Sequence, residues 1–345
     1  MPAFDVVVVG CGGGPSETNL SAYLLKPYDA AWLDGTVALE AGSGLGTLSY
    51  VMALNPNLFD DEDAQSTCGL SAYDVYSSIR CFLITHAHLD HINGLVLSAG
   101  TLKGPRKRIH AARHVIDNIE TVFSDRVWPK LASWSAKDDD YKLMYDPLKF
   151  TKSYRTISPN VSVRMTAVTH GHNDTTGVYE STAFFLRHDP SGQELLFFGD
   201  VEPDSVASRP LTLATWRAAA PMIPETLGAI FIECSWPLGR REDLLYGHLS
   251  PEHLTDELAA LATEVKPRPS PVDPELLRDA LKGLRVYITH CKDDLEGRYD
   301  RPIRHVIADQ VRELVEKKRL GAEILSVEQG SRIGLCYSEL GLSSR

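Results

Sequence analysis

The chain reads Thr85-His86-Ala87-His88-Leu89-Asp90-His91 directly after the apolar run Cys81-Phe82-Leu83-Ile84. A short apolar run of this kind is typical of a buried strand. Three imidazoles and a carboxylate at its end cost free energy if they are buried without partners. A divalent cation removes that cost, because neutral imidazole nitrogens and ionised carboxylates are ligands of zinc-like metals. The stretch therefore predicts part of a metal site, and the alternative is a solvent-exposed histidine-rich turn.

Other predicted strands also end in residues that bind metals. Apolar runs precede His170, Asp200 and His290. Ligands that follow several strands of one sheet edge converge in space although they lie far apart in the sequence. With the first stretch they make seven candidate ligands, which are His86, His88, Asp90, His91, His170, Asp200 and His290. Seven ligands are too many for one tetrahedral zinc ion, so the pattern favours two metals that share Asp200.

Length and composition indicate a soluble globular protein. The chain has 345 residues, of which 43% are hydrophobic and 23% charged, enough for one large domain or two ordinary ones. The net charge of −11 argues against binding of a nucleic acid polymer. No signal peptide and no run long enough to span a membrane is visible, so we expect a cytoplasmic protein. Six scattered cysteines without a CxxC pair predict buried free thiols.

Two segments near the N-terminus allow alternative interpretations. A glycine-rich turn at residues 10–14 follows the β-branched run at residues 4–9. Such a turn also occurs in dinucleotide-binding proteins, but Pro15 replaces the helix-opening glycine. We expect the turn to pass close to a site, and a Rossmann-type oxidoreductase is the alternative. Residues 31–40 predict a hairpin that ends in Glu40, which is either a partner of a ligand histidine or solvated.

Aromatic residues punctuate the otherwise polar segment 117–150. They are Phe123, Trp128, Trp134, Tyr141 and Tyr145. The segment predicts a helical insertion or lid whose aromatic side chains pack on the body or line a pocket. A contact between the two copies of a homodimer is the alternative.

The motif HxHxDH, followed in order by His, Asp and His, resembles the metallo-β-lactamase superfamily. Within it, the chain is most similar to the class II cyclic-nucleotide phosphodiesterases, the fungal low-affinity cAMP enzymes among them. The resemblance is carried by residues 85–95, Val122-Phe123-Ser124-Asp125-Arg126-Val127-Trp128-Pro129, Phe198-Gly199-Asp200, Ile232-Glu233-Cys234-Ser235, Gly247-His248-Leu249-Ser250-Pro251 and Thr289-His290-Cys291-Lys292. These segments span nearly the whole chain.

The resemblance implies a fold and a set of roles. The fold is α/β, a four-layer αβ/βα sandwich over a single domain, 1–345, with the insertion at about 117–150. His86, His88 and His170 hold one metal, Asp90, His91 and His290 hold the other, and Asp200 bridges them. The metals are zinc, with manganese or iron as alternatives.

The implied reaction is hydrolysis of 3′,5′-cyclic AMP, with cyclic GMP as a further substrate, to the nucleoside 5′-monophosphate. A hydroxide that two metals activate attacks phosphorus, and the 3′ oxygen leaves with a proton from a general acid. His248 is the candidate acid, with Asp90 or a metal-bound water as the alternative donor. His248 and Asn93 are the substrate-binding candidates, although Asn93 stands where many relatives have serine.

Three other functions compete with this one. A thioesterase, lactonase or tRNA 3′-processing enzyme can share the fold, but the acidic charge counts against a tRNA enzyme. A non-catalytic metal- or nucleotide-binding protein is the second alternative, and the full set of seven ligands argues against it. The Rossmann-type oxidoreductase rests only on the glycine-rich turn.

Overall fold

A computed structural model describes residues 2–60, 69–138, 140–266 and 277–336. The strands in these residues are β1 (Pro2–Gly10), β2 (Ala22–Pro27), β3 (Val37–Leu39), β4 (Cys81–Leu83), β5 (Lys107–His110), β6 (Ala132–Ser133), β7 (Leu143–Tyr145), β8 (Arg155–Ser158), β9 (Val161–Thr169), β10 (Glu180–His188), β11 (Glu194–Phe198), β12 (Leu227–Glu233), β13 (Arg285–Thr289), β14 (Glu323–Ser326) and β15 (Arg332–Cys336). The α-helices are α1 (Leu45–Leu54), α2 (Ala72–Ser78), α3 (Leu89–Ser98), α4 (Arg113–Val122), α5 (Thr212–Ala219), α6 (Pro251–Val265) and α7 (Ile303–Lys317).

Two sheets organise these strands. The first has the order β15-β1-β2-β3-β4-β5-β7-β6, and the second has the order β14-β13-β12-β11-β10-β9-β8. Strands β11 to β14 are parallel, and β9 runs in the same direction because β10 is antiparallel to both of its neighbours. The carboxyl ends of β9, β11, β12 and β13 therefore meet at one edge of the second sheet.

The second sheet is buried on both faces, which explains its continuous apolar runs. On β11, Leu195 and Phe197 belong to the cluster between the sheets, whereas Leu196 and Phe198 belong to the cluster under α5, α6 and α7. Tyr23 of β2 crosses between the sheets, with its ring centroid 5.3 Å from that of Phe197. The apolar sides of α1 to α4 join the first cluster, so the layers run helix, sheet, sheet, helix.

Several expectations from the sequence can be compared with these elements. The sequence predicts a helix from Pro251, where Ser250 is a typical N-cap, and a second helix from about Ile303 to Lys318, and the structure confirms both. It also predicts strands near residues 323–327 and 332–335, which are confirmed as β14 and β15. Four cysteines are free and buried, as expected: Cys11, Cys81, Cys234 and Cys291. Cys68 lies outside the described residues. Among the described helices, none is both long and apolar enough to cross a membrane.

One local expectation was wrong, and one alternative is excluded. Residues 31–40 do not form a hairpin: a 3₁₀ turn at Trp32–Asp34 precedes β3, and the buried Trp32 anchors that turn in the core. The Rossmann alternative is excluded, because the glycine-rich turn leads from β1 towards the antiparallel β2 instead of opening an α-helix. Segment 117–150 is only partly helical. α4 ends at Val122, and the short strands β6 and β7 extend the first sheet. Its role as a lid stays a prediction.

Gly42 is a position where the backbone leaves no room for a side chain. A Cβ at Gly42 would lie 1.8 Å from the carbonyl oxygen of Asp90. We expect Gly42→Ala to destabilise the fold by about 1–3 kcal/mol, because overpacking shifts the backbone. Gly46 in α1 is the matched control, since a Cβ there meets nothing within 4 Å. Urea unfolding of both variants measures the difference, and equal stabilities would contradict the expectation.

Candidate metal centre

The seven candidate ligands come together at the edge where the strands end. His86 and His88 lie in the loop after β4, while Asp90 and His91 lie in the first turn of α3. His170, Asp200 and His290 follow β9, β11 and β13. The fold thus collects, from four strands, the residues that the sequence predicts as ligands. Whether each of them binds a metal stays a prediction.

The first group consists of His86, His88, His170 and Asp200. Their ligand atoms all lie within 4.8 Å of one another. His170 Nε2 is 3.3 Å from His88 Nδ1 and 3.5 Å from Asp200 Oδ2. His86 Nε2 is 3.7 Å from the same oxygen of Asp200. The group is one carboxylate oxygen surrounded by three imidazole nitrogens.

The second group consists of Asp90, His91, Asp200 and His290. His290 Nε2 lies 3.2 Å from His91 Nε2, 3.2 Å from Asp90 Oδ2 and 3.3 Å from Asp200 Oδ1. His91 Nε2 is also 3.3 Å from Asp200 Oδ1. The two oxygens of Asp200 therefore face different groups, which is the arrangement that a bridging carboxylate requires.

His86, His170 and Asp200 have protonation states that suit cation binding. Burial lowers the pKa of His86 well below its usual value and that of His170 to about 3, so both imidazoles are neutral at pH 7. Burial opposes ionisation of Asp200, but the neighbouring His290 and His91 hold its pKa well below the usual range. Among the described residues, the buried His86 Nε2 has no hydrogen-bond partner. An orphaned nitrogen beside an ionised carboxylate fits a metal ion.

The other ring nitrogens of these histidines contact residues of an outer ring. Thr85 Oγ1 lies 3.0 Å from His86 Nδ1. His170 Nδ1 donates to the carbonyl oxygen of Gly247 at 2.8 Å. Such contacts fix the tautomer and the orientation of a ligand imidazole.

Glu40 belongs to the same outer ring. It is buried, its Oε2 lies 3.6 Å from His91 Nδ1, and its Oε1 accepts a hydrogen bond from the Thr85 amide. Glu40 is therefore not solvated. The structure shows the other alternative, a buried partner of the candidate ligand His91. The sequence singled out Glu40 because it ends a strand beside a flexible turn.

Replacing Glu40 with glutamine is expected to lower metal affinity roughly 10- to 100-fold, because His91 loses its negative partner. Isothermal titration of the metal-free protein with zinc measures the effect. Glu120→Gln is the control, since Glu120 accepts a hydrogen bond from Trp134 away from the cluster. Equal affinities of the two variants would contradict the role of Glu40.

His248 lies at the rim of the first group and is paired with Glu233. Its Nδ1 is 2.9 Å from Glu233 Oε1 and 3.8 Å from Asp200 Oδ2. Burial lowers the pKa of His248 to about 4, and burial together with Asp200 raises that of Glu233 to about 7. Because Nδ1 is engaged by Glu233, Nε2 is the nitrogen of His248 that is left for another molecule.

Glu233 and Ser235 are residues to which the sequence gave no role. Glu233 also accepts hydrogen bonds from the Val201 amide at 2.8 Å and from Ser235 Oγ at 2.7 Å. Ser235 Oγ lies 3.1 Å from His290 Nδ1 and so connects this carboxylate to the second group. The position of Glu233 as the last residue of β12 is the signal that could have identified it.

Asn93 is a sequence-predicted residue that the structure does not join to the cluster. It lies half-buried on α3, one turn after Asp90. Within the described part of the chain, no hydrogen bond from its side chain reaches a candidate ligand. Its role in substrate binding stays a prediction.

Comparison with known proteins identifies the family. The cAMP phosphodiesterases class-II match residues 54–330 of the chain. The chain belongs to this family. A 3′,5′-cyclic-nucleotide phosphodiesterase of Schizosaccharomyces pombe is 32% identical over 76% of the chain and 77% of the relative. Among solved structures, unliganded yeast PDE1 has a TM-score of 0.80 and 28% identity, covering 97% of this chain and all of that one.

A more distant structure bears on the fold. The metallo-β-lactamase fold protein YhfI of Bacillus subtilis has a TM-score of 0.53 at 14% identity, and the similarity covers 96% of this chain and 99% of that one. Together with the two sheets and their outer helices, it confirms the predicted metallo-β-lactamase fold. The chain carries its buried histidine and aspartate cluster within this fold.

Proposed function

We propose that this chain hydrolyses 3′,5′-cyclic nucleotides to nucleoside 5′-monophosphates with two divalent metal ions, zinc in first place. The placement of Asp200 between two sets of ligand atoms carries the proposal. His86, His88 and His170 would hold one ion, and Asp90, His91 and His290 the other. Bound there, two cations supply positive charge that neutralises the phosphoryl oxygens and acidifies water.

The chain itself supplies the proton for the leaving group. Displacement of the 3′ oxygen as an alkoxide is slow unless a proton arrives with it. The Glu233–His248 pair is the donor in this proposal: His248 Nε2–H gives its proton to the departing oxygen while Nδ1 takes the proton of Glu233, whose pKa is raised to about 7. Asp90 is the weaker candidate, because His91 and His290 hold its pKa below the usual range despite burial, so it is ionised at neutral pH.

The remaining residues of the site hold these groups in place. Glu233 fixes the ring of His248 through Nδ1, and the backbone amide of Val201 in turn fixes Glu233. Ser235 connects Glu233 with His290. The pair is therefore ordered before substrate binds, which reduces the reorganisation that proton transfer requires.

Parallel assays separate this function from its rivals. The purified protein with added zinc or manganese is offered cyclic AMP, cyclic GMP, a thioester and bis(4-nitrophenyl) phosphate. We expect both cyclic nucleotides to give 5′-monophosphates in chromatography. Turnover of the thioester alone would indicate a thioesterase, and metal binding without turnover of any substrate would indicate a non-catalytic protein.

A further inference from the structure

A cavity of about 640 Å³ opens beside the metal centre. Its volume is within the range of small-molecule pockets, roughly 300–1,000 Å³. Gly13 and Lys292 form one end of it. A Cβ at Gly13 would lie 2.6 Å from His290 Nδ1, and the Lys292 amide donates to the carbonyl oxygen of Ser235. This end of the cavity therefore borders the second ligand group.

Trp236 and Arg240 form a flat surface in the same cavity. The guanidinium carbon of Arg240 lies 3.9 Å from the centroid of the Trp236 ring. Trp236 Nε1 donates to the carbonyl oxygen of Leu245 at 3.0 Å, and Arg240 Nε donates to that of Leu244 at 2.9 Å. Both side chains are thus held in place by the following loop, before any ligand binds.

Arg240 differs from the other arginines in the cavity in its ion pairing. Arg241 pairs with Asp243 at 2.6 Å, and Arg298 pairs with Glu296 at 2.6 Å. Across the ranges that the structure describes, no carboxylate lies within ion-pair distance of Arg240. Its terminal nitrogens are therefore free to donate hydrogen bonds to a ligand in the cavity.

We infer that this cavity is the nucleobase subsite, where a purine stacks on the Trp236–Arg240 pair while the cyclic phosphate lies at the metal centre. The inference rests on the proposed function and adds to it the residues that determine specificity for the base. Single bases stack on aromatic rings and on guanidinium planes. The ring nitrogen N7 of either purine, and O6 of guanine, are acceptors that an arginine recognises.

A second cavity, of about 440 Å³, borders the first ligand group at His88 and His170 and suits a nucleotide less well. The described residues that line it include Glu202, Glu242 and Asp243 but no arginine or lysine. The first cavity instead sets Arg240, Arg241, Arg298 and Lys292 against Asp293, Asp294 and Glu296, so its charge suits an anionic substrate better. The ring of its Tyr179 already packs edge-on against His88, with 4.8 Å between ring centroids. Tyr179 therefore already contacts a candidate ligand.

The test compares two substrates that differ only in the base. Cyclic AMP carries a purine, whereas methyl β-D-ribofuranoside 3′,5′-cyclic phosphate has the same reacting ring without one. Trp236→Leu and Arg240→Gln are expected to raise KM for cyclic AMP roughly 5- to 100-fold, the loss expected from one stacked base. We expect kcat for cyclic AMP and both constants for the base-free substrate to change less than about threefold, because the variants touch no reacting group.

Further variants keep the result interpretable. Arg240→Lys keeps the charge but not the flat surface, so it should also raise KM for cyclic AMP. Arg113→Gln removes a similar pair outside the cavity, where the guanidinium lies 4.2 Å from the centroid of the Trp134 ring. It should change KM and kcat for neither substrate. Titration with 5′-AMP and with ribose 5-phosphate gives a binding measurement that does not depend on turnover. Only 5′-AMP should bind more weakly to Trp236→Leu.

The outcomes separate this inference from the proposed function. Equal effects on both substrates and on both product ligands would overturn the nucleobase subsite. The nucleobase subsite would also be overturned if Tyr179→Leu weakened the binding of cyclic AMP and 5′-AMP alone while Trp236→Leu behaved like the wild type. The base would then occupy the second cavity. If the wild-type protein turned over neither substrate, the proposed function would fail, and the two titrations would still decide where a base binds.

Discussion

Asp200→Asn is expected to lower kcat for cyclic AMP about a thousandfold, since two cations supply several kcal/mol of charge stabilisation. Asparagine has nearly the same shape, but it is neutral and offers one oxygen instead of two. In the structure each oxygen of Asp200 faces a different ligand group. The variant should also bind fewer metal ions per chain, which elemental analysis after gel filtration measures together with turnover.

Asp146→Asn is the matched control for this substitution. Asp146 pairs with Arg155 at 2.7 Å and with Arg108 at 2.8 Å, outside the cluster. It should keep full turnover and full metal content. Normal activity of Asp200→Asn would show that the two groups do not share a carboxylate, and a two-metal site built on Asp200 would be wrong.

His248→Gln is expected to show a leaving-group dependence. With cyclic AMP, whose alkoxide leaving group needs a proton, kcat should fall by a factor on the order of 10²–10⁴. With bis(4-nitrophenyl) phosphate the leaving phenolate is stable without a proton, so kcat should fall less than about tenfold. Steady-state rates on both substrates, measured at the same metal content, give the comparison.

Two further variants refine that result. Glu233→Gln should show the same leaving-group pattern with a smaller loss, because it leaves His248 present but removes the carboxylate that holds Nδ1. His253→Gln is the control, since His253 contacts Ser250 on α6 and not the ligand groups. Equal losses on both substrates in His248→Gln would mean that His248 positions the substrate or the metals and does not donate a proton.

The candidate metal ligands could be predicted from the sequence because their chemistry and their positions after strands coincide. His86, His88, Asp90 and His91 lie within six residues after one apolar strand, so their convergence needs no knowledge of the fold. His170, Asp200 and His290 could be added because each follows a strand, and parallel strands present their carboxyl ends at one edge. The order of these residues along the chain then resembled a known family, and the resemblance gave the layer order of the fold.

Other features could not be predicted because they depend on tertiary contacts. The pairing of His248 with Glu233 joins a loop to a strand end 15 residues away, and nothing in the spacing indicates it. The 3₁₀ turn at Trp32–Asp34 replaces a hairpin because Trp32 is completely buried, which outweighs the turn preference of Asp34-Gly35. Short strands such as β6, with two residues, have too little periodicity to be recognised.

Turnover of cyclic AMP in oxygen-18 water, with the metal content of the same sample, tests the central claim most directly. We predict two metal ions per chain and 5′-AMP with one oxygen-18 atom in its phosphate. We also predict complete loss of turnover after chelation and recovery when metal is restored. A metal-loaded protein that leaves cyclic AMP intact, or that releases 3′-AMP, would contradict the proposed reaction.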